Sequence, residues 1–171
     1  TNISLLDPFY KSKDEEISFN FQYYPSYTKD YSRLRFKYGD VLRGKLDLSL
    51  EEKQGYLVAG AEKQSITTEQ GIISLIGTFE KFDLGLLNLD TQTFDDQSIN
   101  FNIKNLVIKE VKYSDFIIPR SRIYSEKSKE YFALNVSNDD FAGKIYIPKV
   151  KGLRPLLNLD FLKIDLNDSL G

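Results

Sequence analysis

Ile99-Asn100-Phe101-Asn102-Ile103-Lys104-Asn105-Leu106-Val107-Ile108 is the stretch that decides the fold. Through Ile99, Phe101 and Ile103, apolar side chains alternate with polar ones. That two-residue period belongs to a strand with one covered face and one wet face. After Lys104 the phase slips by one, and Leu106 and Ile108 carry the apolar side chains at even positions. A β-bulge inserts one extra residue, so a bulge is expected near Asn105.

The same period recurs on both sides of this stretch. Ile17, Phe19, Phe21 and Tyr23 alternate with Ser18, Asn20 and Gln22, and Leu34, Phe36 and Tyr38 alternate with Arg33, Arg35 and Lys37. Leu46, Leu48 and Leu50, then Ile145 and Ile147, then Leu157, Leu159 and Phe161 continue it. Residues 71–79 and 131–136 are more evenly apolar and read as strands covered on both faces. Helix signals are scarce. Residues 49–54 open with a capping serine followed by acids, and residues 125–131 offer a second short candidate, but neither carries a long apolar stripe. Loops are expected at 8–16, 25–31, 90–97, 119–129 and 150–155. The pattern predicts an all-β fold, an antiparallel β-sandwich or barrel-like sheet of roughly nine or ten strands with at most one or two short helices.

The chain of 171 residues fits one β domain over residues 1–171, with 1–10 as an extended arm or exchanged strand. No segment is rich in Ser/Gly or in one charge sign, so no linker is expected. Leu86-Leu87-Asn88-Leu89-Asp90 recurs as Leu156-Leu157-Asn158-Leu159-Asp160, but the flanks differ, which reads as two similar strand ends. Hydrophobic residues make up 41% of the chain, enough for a core, yet no run approaches the roughly 20 apolar residues of a membrane helix.

The missing residue types exclude the most chemistry. The chain has no Cys, His, Trp or Met. Disulfides and thiolates are therefore impossible, as are zinc sites of the usual Cys/His kind. Ser-His-Asp and Cys-His nucleophile systems fall with the imidazole that carries their proton. Haem, copper and iron–sulfur centres lose their usual ligands. A pair of carboxylates acting as acid and base survives in principle, but no Asp or Glu stands out by its context. No glycine-rich phosphate loop is present. The expectation is a protein that is not an enzyme.

Three groups of residues remain as candidates. Arg33, Arg35 and Lys37 share one strand face, with Tyr31 and Tyr38 beside them. Cations about 6.5–7 Å apart can follow a polyanion such as nucleic acid, while the same row also serves as a solvated face that discourages edge pairing. Against the first role stands a net charge of −2, far from the basic excess of most nucleic-acid binders. Asp90, Asp95 and Asp96, and separately Asp139 and Asp140, could supply oxygen ligands to calcium, although Asp and Asn also populate turns for backbone reasons. Ile3, Leu5, Leu6 and Phe9 make the N-terminal stretch apolar, so it must pack on its own domain or add as a strand to a partner. Leu162, Ile164 and Leu166 form a further edge-strand candidate.

The leading expectation is a structural or interaction module, a subunit of an extracellular or virion-type assembly held by strand edges and loops. Polyanion binding through Arg33, Arg35 and Lys37 is the alternative, and a carbohydrate- or ligand-binding β domain is a third. No cofactor other than calcium is expected. The compartment is open, with an exterior or surface location favoured by the missing catalytic chemistry.

Overall fold

A computed structural model describes residues 7–10, 16–26, 31–49, 51–62, 64–83, 100–113, 116–126, 130–148, 153–154 and 156–163. These residues form ten strands and, among them, no helix. In chain order the strands are β1 (Phe19–Tyr24), β2 (Ser32–Tyr38), β3 (Leu42–Leu48), β4 (Lys53–Ala59), β5 (Ile72–Asp83), β6 (Asn100–Tyr113), β7 (Phe116–Glu126), β8 (Tyr131–Ser137), β9 (Phe141–Pro148) and β10 (Leu156–Leu162). They lie side by side in that same order in one open sheet.

The sheet is mixed. β1–β4 form an antiparallel meander, and so do β6–β10. Between the two meanders, β5 runs parallel to both β4 and β6. The expected all-antiparallel sandwich or barrel therefore gives way to a single unclosed sheet. Alternation within a strand reports which side is covered but not which strand lies next to it, and so the parallel joints left no trace in the period. They did leave one in composition. The evenly apolar segment 71–79 falls largely in β5, where Ile73, Gly77 and Phe79 are buried on the apolar face and Ser74 on the other, while Ile72, Ile76 and Thr78 stay half-buried.

Register puts the alternating residues on two distinct faces. Phe19, Phe21 and Tyr23 pair with Tyr38, Phe36 and Leu34, which pair in turn with Leu42, Gly44 and Leu46. The same face continues through Leu57 and Ala59, then Ile73 and Leu75, then Phe101 and Ile103. Beyond them come Leu106 opposite Ile123, Leu134 opposite Ile145, and Leu157 and Leu159 on β10. One face is thus apolar from edge to edge, and its deepest part lies on the central strands. Ala59, Phe79, Ile103, Leu106, Ile108 and Val111 form the buried cluster there, with Leu75, Phe101, Ile123 and Phe132 packed against it.

The expected bulge is present. Ile103 pairs with Leu75 and Asn105 with Ile76, so Lys104 is the extra residue. Its insertion moves Leu106 and Ile108 onto the face that Ile103 already occupies. A second register shift falls on β10 between Leu159 and Phe161.

Both helix candidates are corrected. Ser49 and Glu52 close the β3–β4 connection: Ser49 N–H donates to the Glu52 carbonyl at 2.9 Å, and Glu52 N–H donates to Ser49 Oγ at 2.7 Å. A serine that caps a helix satisfies a backbone N–H, and it does the same work in a turn. Gln54 already belongs to β4, while Ser125 and Glu126 end β7 and Tyr131 begins β8. Most of the expected loop at 119–129 is strand as well. β7 pairs with β8 only from Arg122 onward, so Pro119 sits where β7 has no neighbour on one side. Proline is tolerated there because one row of amides is unpaired anyway.

Candidate functional site

The outermost strands form the most unusual surface. β1 is exposed throughout, and so is β10. On β1, Phe19 is 63% exposed and Phe21 57%; on β10, Leu157 is 65% exposed and Leu162 54%. Sheet edges in monomeric proteins are commonly guarded by charges, proline or a covering element. β1 (Phe-Asn-Phe-Gln-Tyr-Tyr) has no charged residue, and β10 has only Asp160. Among the described residues, each edge leaves a row of main-chain N–H and C=O groups without a strand partner, flanked by large apolar side chains.

Of the apolar N-terminal residues, Ile3, Leu5 and Leu6 lie outside the described residues. Phe9 packs on its own sheet. Its ring meets Tyr38 edge-on at 5.8 Å, and its carbonyl accepts the Tyr38 hydroxyl at 3.2 Å. The Asp7 carbonyl accepts Asp83 N–H at the end of β5, so this short segment touches both β2 and β5. On β10 the C-terminal candidate is represented by Leu162; Ile164 and Leu166 lie outside the described residues.

The polar face carries the basic row. Arg33, Arg35 and Lys37 share it as the alternation required, and register adds two cations that sequence reading missed. Arg35 lies opposite Lys45, and Lys37 opposite Arg43. The alternation of β3, Arg43-Gly44-Lys45-Leu46-Asp47, could have shown them, had β3 been extended back to Leu42. Arg33 is the one cation neutralised by a buried acid. Its Nε donates to Asp47 Oδ1 at 2.7 Å and its Nη2 to Oδ2 at 3.1 Å, with the Asp47 side chain 7% exposed. This hydrogen-bonded carboxylate raises the Arg33 pKa above its already high ordinary value. Lys37 Nζ lies 3.3 Å from Asp40 in the turn, both well exposed. Tyr38 is on the other face, and Tyr31 flanks the Arg33 guanidinium, 5.4 Å from ring centroid to Cζ.

Elsewhere on the strands, cation and acid meet in pairs, including Lys109 with Glu80 and Lys144 with Glu126. Lys144, then Asn135, holds the Glu126 carboxyl below its ordinary pKa. A depressed acid contributes stability above the usual carboxylate range and loses it as pH falls through its lowered value. Glu126→Gln should therefore lower the midpoint slightly at neutral pH and leave it unchanged in acid, so that the acid limb of the pH–stability curve is flatter. Denaturant titrations at neutral and acidic pH check this.

For the calcium candidates, Asp90, Asp95 and Asp96 lie outside the described residues. Asp139 and Asp140 form the β8–β9 turn. There Asn138 Oδ1 accepts the N–H groups of Asp140 and Phe141, each at 2.8 Å, and Asn138 Nδ2 donates to the buried Ser121 Oγ at 3.1 Å. The turn is thus organised by Asn138, and among the described residues no three acidic side chains gather where a cation would sit. Asn138→Ala removes three hydrogen bonds and should destabilise the fold by about 1–2 kcal/mol, read as a lower urea midpoint. A shallow cavity of about 120 Å³ is lined by Tyr31, Asp47, Ser49, Glu52 and Gln54. Asp47 is held there by Arg33, and the lining contains no nucleophile–base pair. Among the described residues, no helix is long and apolar enough to cross a membrane.

No family model matches the chain, and comparison with curated proteins and with solved structures finds no significant match.

Proposed function

We propose that this chain is a non-enzymatic assembly module that extends its sheet by strand addition, β1 of one copy receiving β10 of the next. The observation that carries the reading is the pair of long, apolar, almost uncharged edges at the two ends of one open sheet.

Strand direction supports head-to-tail joining. Ten strands with two parallel joints leave β1 and β10 running in opposite directions. A second copy placed by simple translation therefore brings its β10 antiparallel to β1, with the apolar faces on the same side. Phe19, Phe21 and Tyr23 then stand in line with Leu157, Leu159 and Leu162 of the neighbour. Aromatic–aliphatic cross-strand pairs are among the favourable ones in antiparallel sheets. Because the two joined edges differ, the contact does not close on itself and copies add in a row.

Sedimentation velocity over a wide concentration range tests the proposal. Species larger than the monomer should grow steadily with concentration. A strict monomer at every concentration would end it.

A second reading rests on a separate observation. The apolar face is continuous across all ten strands, yet outside its central cluster residues such as Leu34, Phe36, Leu46 and Ile145 are only half-buried. A face of that shape suits a long, thin apolar ligand such as an acyl chain. Fluorescent fatty acid displaced by unlabelled fatty acid, and not by sugars, would support this ligand-binding role.

A further inference from the structure

We infer that the polar face of β2 and β3 is a docking surface for phosphate headgroups of an anionic lipid membrane. Arg35, Lys37, Arg43 and Lys45 form a two-by-two grid, spaced about 6.5–7 Å along the strands and about 5 Å across them. Like charges directly opposite one another destabilise a sheet. Two such pairs stand side by side here, Arg35 with Lys45 and Lys37 with Arg43. Among the described residues, neither Arg35 nor Lys45 has a carboxylate partner. Arg43 is held in place by the carbonyls of Gly60, at 3.1 Å, and Glu62. This arrangement costs the free protein stability and is relieved by an anion lying across the grid.

On the remainder of the polar face most cations meet an acid, although the exposed Arg122 of β7 has none among the described residues. Arg33 is paired with Asp47, Lys104 with Glu69, Lys109 with Glu80 and Lys144 with Glu126. The positive charge is therefore densest at one end of the face, beside the β1 edge. A planar array of phosphates meets such a grid with several contacts at once, and each basic residue near an anionic bilayer adds to binding.

Single-stranded nucleic acid, the other anion that this face could meet, fits less well. Binders of that class stack bases on open aromatic rings. Here the Tyr24 ring is covered by the Arg35 guanidinium at 5.8 Å, and that of Tyr31 by Arg33 at 5.4 Å. Tyr56, opposite Lys45 on the same face, is half-buried. Tyrosines at its margin suit a bilayer interface, where an apolar body with a polar tip is at home.

Vesicle co-sedimentation tests the inference, with phosphatidylcholine vesicles and vesicles containing about one-third phosphatidylglycerol. The expected result is binding to the anionic vesicles alone, weakening steeply with salt. Arg35→Glu with Lys45→Glu should reduce it about tenfold or more. The milder Lys45→Gln should weaken it by a smaller factor, and circular dichroism checks that both variants fold. Equal binding to both vesicle types, binding unchanged by the charge reversal, or preference for a thymidine 20-mer at matched phosphate concentration would each overturn it.

Discussion

Phe21→Lys and Leu157→Lys should each abolish chain growth, and a mixture of the two should recover a dimer and nothing larger. Phe21 is 57% exposed on β1 and Leu157 65% exposed on β10. A lysine at either position should change folding stability by no more than about 0.5 kcal/mol, because neither side chain is packed in the core. Its effect on association is far greater. A strand entering beside Phe21 would bury an ammonium against apolar side chains, which is how natural edges repel one another. The affinity of the altered joint should fall about 100-fold or more, equivalent to some 3 kcal/mol. A chain with a blocked β1 retains an open β10, and a chain with a blocked β10 retains an open β1. Only one good joint can form between them. Edges that paired like with like would give a dimer of either variant alone, and that outcome would contradict the head-to-tail arrangement.

Gly77→Ala should be strongly damaging to the sheet. Gly77 has φ of 117°, and a Cβ built there falls 2.1 Å from the Ala59 carbonyl oxygen across the parallel β4–β5 joint. Main chain cannot rotate away as a flexible side chain would. Either the joint opens or the strand twists, and about 3 kcal/mol or more of stability is lost. Gly71→Ala is the matched control. Its φ is also positive, at 67°, but nothing lies within 4 Å of the added Cβ, so it should cost only about 1–2 kcal/mol. Urea midpoints of the two variants, compared at unchanged denaturant slope, separate backbone strain from close approach. Equal losses at the two positions would show that β4 and β5 do not approach as described.

Local patterns made the strands legible, and nothing local made the sheet order so. The phase slip at Lys104 located a bulge because one extra residue has a visible consequence for every side chain after it. The even hydrophobicity of residues 71–79 marked the central strand for the same kind of reason. By contrast, β4 (Lys-Gln-Gly-Tyr-Leu-Val-Ala) hid behind a serine and two acids that suggested a helix start. β7 hid behind Pro119, whose place depends on where β8 stops pairing, a fact about another strand. Sandwich, barrel and open mixed sheet all present the same alternation, and only pairing distinguishes them.

The candidate site was legible to the same depth. The row Arg33, Arg35 and Lys37 could be read because it lies on one strand. Its doubling by Arg43 and Lys45, and its partial neutralisation by Asp47, required the β2–β3 register. Asp139 and Asp140 drew notice as acids, whereas the turn is built by their neighbour Asn138. Of the two exposed edges, only Leu162 of β10 was touched by an edge-strand expectation, and β1 could not be foreseen, since no residue type announces that a strand is the last in its sheet.

Because the chain has no cysteine, a pair introduced at the two edges reports on them alone. Gln22→Cys on β1 and Asn158→Cys on β10 place both thiols on the polar face. Under mild oxidation, an open sheet that joins head to tail should yield a ladder of chains linked between molecules, its rungs increasing with concentration. Rapid linkage within single chains at high dilution would mean that the two edges already meet in one molecule, and the open sheet would be contradicted.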